Sequence, residues 1–167
     1  MSPDSTSGPR HVIGIGDLAV KQARTGVIVT HALGSCLGIV LYDSIAGVGG
    51  MLHAQLPLAA RSPERAKEKP AIFVDLGIPM LLEAASRLGA DRRRMRFTVV
   101  GGATVIQTEN DMFNIAKHNL TMMRKIFWQL DLRVAGEDTG GTRPRTVRLD
   151  LATGSTIVET AGQSSFI

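Results

Sequence analysis

The sequence predicts an α/β fold of the α+β kind, built from mixed β-sheets and two helices. Short stretches of alternating, β-branched residues recur along the chain and are typical of strands. Two longer stretches instead repeat apolar residues with the 3.6-residue period of a helix. The predicted order is strands, helix, strand, helix and strands, which favours mixed sheets in one domain. A length of 167 residues, 44% of them hydrophobic, suits a single core.

The first third of the chain predicts four strands after a polar start. Residues 1–10 are rich in serine and proline and are predicted to form a disordered tail, which leaves residues 11–167 as a single domain. The predicted strands are 12–20 (VIGIGDLAV), 27–33 (VIVTHAL), 37–43 (LGIVLYD) and 48–57 (VGGMLHAQLP). The two glycines of the last strand indicate a bulge or a close backbone approach.

The rest of the chain alternates helices with strands. Residues 58–70 are polar and charged and hold two prolines, which predicts a functional or mobile loop. The two predicted helices cover about 75–88 and 114–129, and Asn114 is the expected N-cap of the second. The remaining predicted strands are 95–100, 132–136, 145–151 and 155–160, the last two joined as a hairpin, with residues 104–112 irregular.

Composition narrows the function classes. The net charge of +4 favours an acidic partner, while the 4% of aromatic residues is too low for a base-stacking nucleic-acid platform. The single cysteine excludes an internal disulfide framework and a multi-thiolate zinc site, and it indicates a reducing, cytoplasmic location. The histidines are scattered and the glycine spacings fit no nucleotide loop, so we expect neither a metal nor a cofactor. We expect no signal peptide and no membrane-spanning segment.

The candidate chemistry centres on Cys36, which follows Gly34 and Ser35 and precedes Leu37-Gly38. A lone cysteine is usually a small hydrophobic residue of the core. Small neighbours, however, make room for a substrate and leave backbone N–H groups free to face an oxyanion. From the residues alone, a structural cysteine and a nucleophile remain equally good interpretations.

Two histidines compete as the base for Cys36. His31 lies five residues before it on the same predicted run, whereas His53 lies on another strand. Adjacent strands are about 5 Å apart, so a cross-strand contact with Cys36 is easier for His53. An imidazolium there would lower the pKa of the thiol. Thr30 could orient the His53 ring as a third member, or it could be an ordinary β-branched strand residue.

The stretch THALGSCLGIVLYDSIAGVGGMLHAQLP (30–57) closely resembles the signature of CheD, the chemoreceptor glutamine deamidase family of bacterial and archaeal chemotaxis. The resemblance covers roughly residues 12–160 and continues through VVGGATV, FNIAKHN and DTGGTRPRTVRLDLATG. It implies mixed sheets packed face to face with helices on the outside, like the catalytic domain of the cytotoxic necrotising factor toxins. Two segments depart from the family pattern, 115–119 and 140–145.

The same resemblance implies roles for the residues singled out above. Cys36 would be the nucleophile, His53 the general base and acid, and Thr30 the residue that orients His53. Gly34 and Ser35 would form an oxyanion and substrate loop.

The activity implied by the resemblance is cysteine-dependent deamidation of glutamine side chains to glutamate on methyl-accepting chemotaxis receptors. Ammonia would be released through a thioester intermediate, without a cofactor. A CheC-type phosphatase is an implied partner, and any contact with the membrane would run through the receptors only. Two alternatives remain open: a non-catalytic regulator that binds the CheC-type phosphatase, and a cysteine amidase that acts on small molecules.

Overall fold

The computed structural model describes residues 7–105 and 114–167, in which the strands form two five-stranded sheets. Sheet A contains, in spatial order, β1 (Arg10–Ile13), β3 (Val27–Leu33), β8 (Arg145–Asp150), β9 (Thr156–Thr160) and β10 (Gln163–Phe166). Sheet B contains, in spatial order, β2 (Leu18–Gln22), β5 (Val48–Ala54), β4 (Leu37–Asp43), β6 (Arg96–Gly101) and β7 (Val134–Thr139). Each sheet has one parallel pair, β1 with β3 and β6 with β7, among antiparallel neighbours. The predicted α+β class with mixed sheets is confirmed.

The two sheets pack face to face around a shared apolar layer. Successive side chains of a strand point to opposite faces, so each central strand of sheet B contributes residues both to the layer between the sheets and to the layer on its other face. Val40 and Met51 join Ile28 and Val147 of sheet A in the layer between the sheets. A Cβ at Gly49 would lie 2.6 Å from Leu151, so the predicted close approach occurs there. The ladder of β5 continues through its glycines without a register shift, which means that they mark no bulge.

The opposite face of sheet B is covered by two helices, α2 (Val74–Arg87) and α3 (Ile115–Gln129). A short helix, α1 (Pro63–Glu68), has no buried residue and packs on the 3₁₀ turns before and after it. Leu81 of α2 and Phe127 of α3 pack on the outer residues of β4 and β5, and the rings of Phe97 and Phe127 meet edge to face at 5.3 Å. The predicted cap of α3 is confirmed, because Asn114 Oδ1 accepts the N–H of Lys117 at 3.1 Å. In the described residues, no helix is long and apolar enough to cross a membrane.

Some sequence expectations need correction. The single strand predicted over 12–20 is two strands in different sheets, because a turn at residues 14–17 redirects the chain; Asp17 Oδ2 accepts the N–H of Gly14 at 3.0 Å in that turn. The loop predicted over 58–70 contains α1 and two short 3₁₀ turns. The sequence patterns predicted no strand at β10, because the last predicted strand ends at residue 160.

The predicted disordered tail is partly ordered. Residues 7–10 of it are held to sheet A, because the N–H of Gly26 donates to Ser7 O at 3.0 Å and Arg10 pairs with Val27. Residues 1–6 of that tail lie outside the described residues, as do residues 106–113, which include most of the stretch predicted to be irregular.

The C-terminal end of β4 is held in place by the buried carboxylate of Asp43. Asp43 accepts both Arg94 Nε at 3.1 Å and the N–H of Asp91 at 2.8 Å. Burial alone would raise the pKa of Asp43, but these donors and the N–H groups of Ile45 and Ala46 outweigh it and hold the pKa at about 2. The carboxylate therefore stays ionised and anchors the turn after β4, while the start of β4 remains for the candidate site.

Candidate active site

The bend that carries Cys36 joins β3 of sheet A to β4 of sheet B. All of its carbonyl oxygens accept hydrogen bonds: Gly34 from Ala103 N at 2.8 Å, Ser35 from Asn119 Nδ2 at 3.0 Å and Cys36 from Gly102 N at 2.9 Å. The close fit needs glycine at position 101, where φ is +112° and a Cβ would collide with the Cys36 carbonyl oxygen. Hydrogen bonds to its three carbonyl groups therefore hold the bend in place.

The backbone N–H groups of the same bend make fewer hydrogen bonds than its carbonyl groups do. Gly34 N–H donates to Ala32 O at 3.0 Å. Within the described chain, the N–H groups of Ser35 and Cys36 donate to no other residue. Two backbone donors next to a thiol can together stabilise a negative oxygen, which is the arrangement of an oxyanion hole.

His53 and Thr30 meet across the space between the sheets. Thr30 Oγ1 lies 2.8 Å from Ile13 O and 2.7 Å from His53 Nδ1, and both side chains are buried. A hydroxyl has one proton, and the carbonyl of Ile13 can only accept it. The Thr30 oxygen must then accept a hydrogen bond from the Nδ1–H group of His53. This assigns the imidazole tautomer: the proton is on Nδ1 and the lone pair is on Nε2.

The lone pair of His53 Nε2 is unused. This atom is buried and has no hydrogen-bond partner. The backbone of His53 is fixed by the turn between β1 and β2, since its N–H donates to Asp17 O at 3.0 Å and its carbonyl accepts the N–H of Gly16 at 2.8 Å. A positioned imidazole with a free lone pair is what a general base requires.

Cys36 lies on the same side of sheet B as His53. The register pairs Gly38 with His53, and Cys36 precedes Gly38 by two residues, which places its side chain on the same face at the diagonal position. The thiol is 8% exposed and packs in the layer between the sheets. It makes no hydrogen bond with Nε2. Such contacts in free enzymes are often long and tighten only with substrate.

Burial sets the protonation states of both groups. It lowers the pKa of His53 to about 4, although the nearby Asp17 carboxylate opposes the shift. It also raises the pKa of the Cys36 thiol above its ordinary value of 9.0, and the hydrogen bond from its own backbone N–H offsets this only in part. At neutral pH the two groups are therefore a thiol and a neutral imidazole. The expectation that an imidazolium lowers the thiol pKa is wrong for this resting state.

The competing histidine lies elsewhere. His31 is exposed in the bulge that interrupts the ladder between β3 and β8, where Ala32 takes a φ of +57°. Thr30 faces the layer between the sheets, so its neighbour His31 points to the opposite face of β3 and is not part of the arrangement around Thr30 and His53.

Sequence reasoning overlooked Asn119. It belongs to the buried stripe of α3 with Ala116, Met123 and Phe127, and it is fully buried. Its side chain reaches both the bend at Ser35 and the end of β5. The signal available in the sequence was a polar residue one turn before Met123 on an apolar helix face.

A groove of about 190 Å³ lies between the segment after β5 and α3. Leu58 and Met122 contribute apolar surface to it, and Arg61 and Lys125 contribute positive charge; neither has an acidic partner within the described chain. A larger cleft of about 890 Å³ is lined by residues between 91 and 97 and by residues 129–133. Neither is lined by Thr30, Cys36 or His53, but His118 in the smaller groove directly precedes Asn119 in α3.

Comparisons with known proteins identify the family of the chain. Residues 55–160 match the family model described as CheD chemotactic sensory transduction. A probable chemoreceptor glutamine deamidase CheD 1 from Syntrophus aciditrophicus is 40% identical over 151 residues, which cover 90% of this chain and 94% of that relative. The chain belongs to the CheD family.

Other CheD relatives are equally similar. A probable chemoreceptor glutamine deamidase CheD from Solibacter usitatus is 43% identical and covers 86% of this chain and 84% of its own. One from Pyrococcus abyssi is 43% identical and covers 85% of this chain and 86% of its own. A crystal structure of a Neisseria meningitidis protein of family DUF152 covers 75% of this chain and 52% of its own, at a TM-score of 0.40 and 11% identity.

Proposed function

We propose that this CheD-family chain is a cysteine-dependent deamidase that converts glutamine side chains of methyl-accepting chemotaxis receptors to glutamate in the cytoplasm. The relatives that share 40–43% identity are named chemoreceptor glutamine deamidases. The observation that carries the proposal is the Thr30–His53 hydrogen bond of 2.7 Å, which leaves Nε2 free on the face that holds Cys36.

The reaction begins with a neutral pair. His53 Nε2 takes the thiol proton of Cys36 as the sulfur attacks the amide carbon of the substrate glutamine. The carbonyl oxygen becomes negative and accepts hydrogen bonds from the N–H groups of Ser35 and Cys36. One such donor typically lowers the barrier by about 3–4 kcal/mol. Thr30 keeps its oxygen on Nδ1–H throughout and stabilises the imidazolium that forms.

The second half of the reaction releases both products. The imidazolium gives its proton to the amide nitrogen, ammonia leaves, and the acyl group remains on sulfur as a thioester. His53 then takes a proton from a water molecule that attacks the thioester, and it returns that proton to the departing sulfur. The products are glutamate and the free thiol, and the chemistry needs no cofactor.

The groove between the segment after β5 and α3 supplies a place for the receptor segment. Its apolar floor at Leu58 and Met122 suits the apolar face of a helix, and the positive charges of Arg61 and Lys125 complement acidic side chains beside that face. We assign this groove to an acidic amphipathic helix of the receptor, which would carry the reacting glutamine toward Cys36.

Mass spectrometry of a receptor cytoplasmic fragment tests the proposal. The wild-type protein is expected to convert specific glutamines to glutamate, while Cys36→Ala and His53→Gln abolish conversion. His31→Gln is the matched control and is expected to remain active, because His31 is exposed and apart from the site. Unchanged glutamines with wild-type protein, or conversion by Cys36→Ala, would overturn the proposal.

Two further arms separate the alternatives. Turnover of free glutamine without modification of the receptor fragment would favour a small-molecule amidase. A Cys36→Ala protein that retains binding to a CheC-type phosphatase and full signalling, with no deamidation by the wild type, would favour a non-catalytic regulator.

A further inference from the structure

Asn119 occupies a position that an apolar residue would ordinarily fill. It lies between Ala116 and Met123 on the stripe of α3 that faces sheet B, and its exposed fraction is 0%. An amide side chain buried in such a stripe destabilises the fold unless hydrogen bonds satisfy it. Its contacts therefore explain why an asparagine is stable there.

Both of its amide protons join backbone carbonyls from the two halves of the candidate site. Nδ2 donates to Ser35 O at 3.0 Å, beside the nucleophile, and to Gln55 O at 2.9 Å, two residues after the base His53. Both partners can only accept, so the nitrogen and not the oxygen must face them. Asn119 Oδ1 is buried without a partner, which leaves the amide held through its nitrogen alone.

The β4–β5 ladder also joins the two strands next to the bend, where Leu37 pairs with Ala54. The carbonyls of Gly34 and Cys36 are held by backbone N–H groups of the segment after β6, whereas the carbonyl of Ser35 relies on the side chain of Asn119. Loss of the Asn119 amide would leave the carbonyls of Ser35 and Gln55 without this donor. The ladder and the flanking contacts would keep the bend in place, but its middle residue would no longer be tied to the end of β5.

We propose that Asn119 is a positioning residue that holds the Ser35 side of the Cys36 bend in place relative to the end of the His53 strand. The proposal rests on the proposed deamidase function for its kinetic consequence. Proton transfer between two groups depends steeply on their separation, and a misplacement of about 1 Å can lower a rate by about 100-fold. Asn119 acts through the backbone and touches neither the thiol nor the imidazole.

Two variants test the link against a matched control. Asn119→Asp keeps the shape of the side chain but replaces the donating amide with oxygens that face two carbonyls, and Asn119→Ala removes the group. Met123→Ala is the control, because Met123 is equally buried one turn further along the same stripe and packs only in the apolar cluster under sheet B. All proteins are compared at equal folded fraction, measured by denaturant unfolding.

The first readout is the split between kcat and KM. Both Asn119 variants are expected to lower kcat by about 10–100-fold with KM within about twofold, because the substrate groove is intact while the catalytic pair is misplaced. Met123→Ala is expected to keep kcat per folded molecule. A kcat for Asn119→Asp within twofold of that control would overturn the proposal.

The second readout does not depend on deamidation. Cys36 is the sole cysteine, so its alkylation by iodoacetamide reports on the bend directly. Freeing the bend is expected to expose the thiol and to speed alkylation by about fivefold or more over Met123→Ala at the same folded fraction. Equal alkylation rates would overturn the proposal. If the wild type fails to deamidate receptors but this difference is seen, the proposed function fails and the positioning role stands.

Discussion

Replacement of Thr30 with valine removes one hydroxyl and keeps the branched shape of the side chain. The change deletes two hydrogen bonds, the one donated to Ile13 O at 2.8 Å and the one accepted from His53 Nδ1–H at 2.7 Å. Because Thr30 is fully buried, water cannot replace either partner without rearrangement. The two effects of the change, on catalysis and on stability, can be separated by their size.

The catalytic effect follows from the charge that His53 gains during the reaction. A hydrogen bond to a neutral group is worth about 0.5–1.5 kcal/mol and one to a charged group about 1.5–3 kcal/mol. Only the difference, about 1–1.5 kcal/mol, is realised in the transition state beyond the resting state. Thr30→Val is therefore expected to lower kcat about tenfold. The free energy of unfolding should also fall by about 1–3 kcal/mol, because a buried Nδ1–H loses its acceptor.

The assay is deamidation of a receptor fragment at saturating concentration, with Thr30→Ser as the matched control. Serine retains the hydroxyl and lacks only a methyl group, so it should keep kcat close to that of the wild type while losing some stability. A Thr30→Val protein whose kcat stays within twofold of Thr30→Ser would refute the assignment of Thr30 as the partner of a charged His53. A loss in KM alone would refute it equally.

Three further predictions follow from the same contacts. Burial holds the folded pKa of His53 at about 4, so stability is fully present above the unfolded value of 6.5 and is lost as the pH falls toward 4. Denaturant unfolding at several pH values should show His53→Gln lacking this loss, on the order of 3 kcal/mol; equal pH dependence would contradict it. The Asp43 carboxylate has a folded pKa of about 2, so its stabilisation is present above 3.8 and lost toward pH 2. Arg94→Met should therefore destabilise the fold at neutral pH and do so progressively less as the pH falls toward 2, whereas Arg87→Met, which removes an exposed ion pair, changes little at either pH. Lys125→Glu should raise KM for the receptor fragment at low salt about fivefold with unchanged kcat, and Arg87→Glu, remote from the groove, should not; equal effects of the two would contradict the groove assignment.

The features that the sequence predicted well are local. Strands 27–33 and 37–43 end where their alternating apolar runs end, and Asn114 caps α3 because its side chain bonds three residues ahead in the same chain. The Gly-Ser-Cys bend was predictable for the same reason, since small residues between two strands leave the backbone free to turn. In each case the deciding contact lies within a few residues.

The features that sequence reasoning missed depend on contacts between distant parts of the chain. Nothing in the run 12–20 shows that its halves enter different sheets, because that is decided by which strands β1 and β2 pair with. The contact between Thr30 and His53 also spans the two sheets, so the residues alone left it as one of two interpretations of Thr30. Asn119 reads as one more helix residue until the bend at Ser35 is packed against it. Protonation states follow burial, so the neutral pair could not be predicted before the layers were assembled.

The neutral pair has a consequence for how the thiol is activated. Burial raises the pKa of the Cys36 thiol and lowers the pKa of His53 to about 4, so the thiol and the neutral imidazole are favoured over the ion pair. We therefore expect proton transfer to accompany attack on the amide, where the N–H groups of Ser35 and Cys36 stabilise the charge that develops.

This activation scheme can be distinguished from a preformed thiolate by its pH dependence. Alkylation of Cys36 without substrate should keep rising with pH to values above 9, in line with the raised thiol pKa. Deamidation should instead hold its kcat/KM down to about pH 5, because His53 stays neutral and able to accept a proton until its pKa of about 4 is approached. A thiolate–imidazolium pair in the resting enzyme would instead give an alkylation rate that stays constant between about pH 5 and pH 9. Such a plateau, absent in His53→Gln, would show that the buried pair ionises in the resting enzyme and that base catalysis is not the activating step.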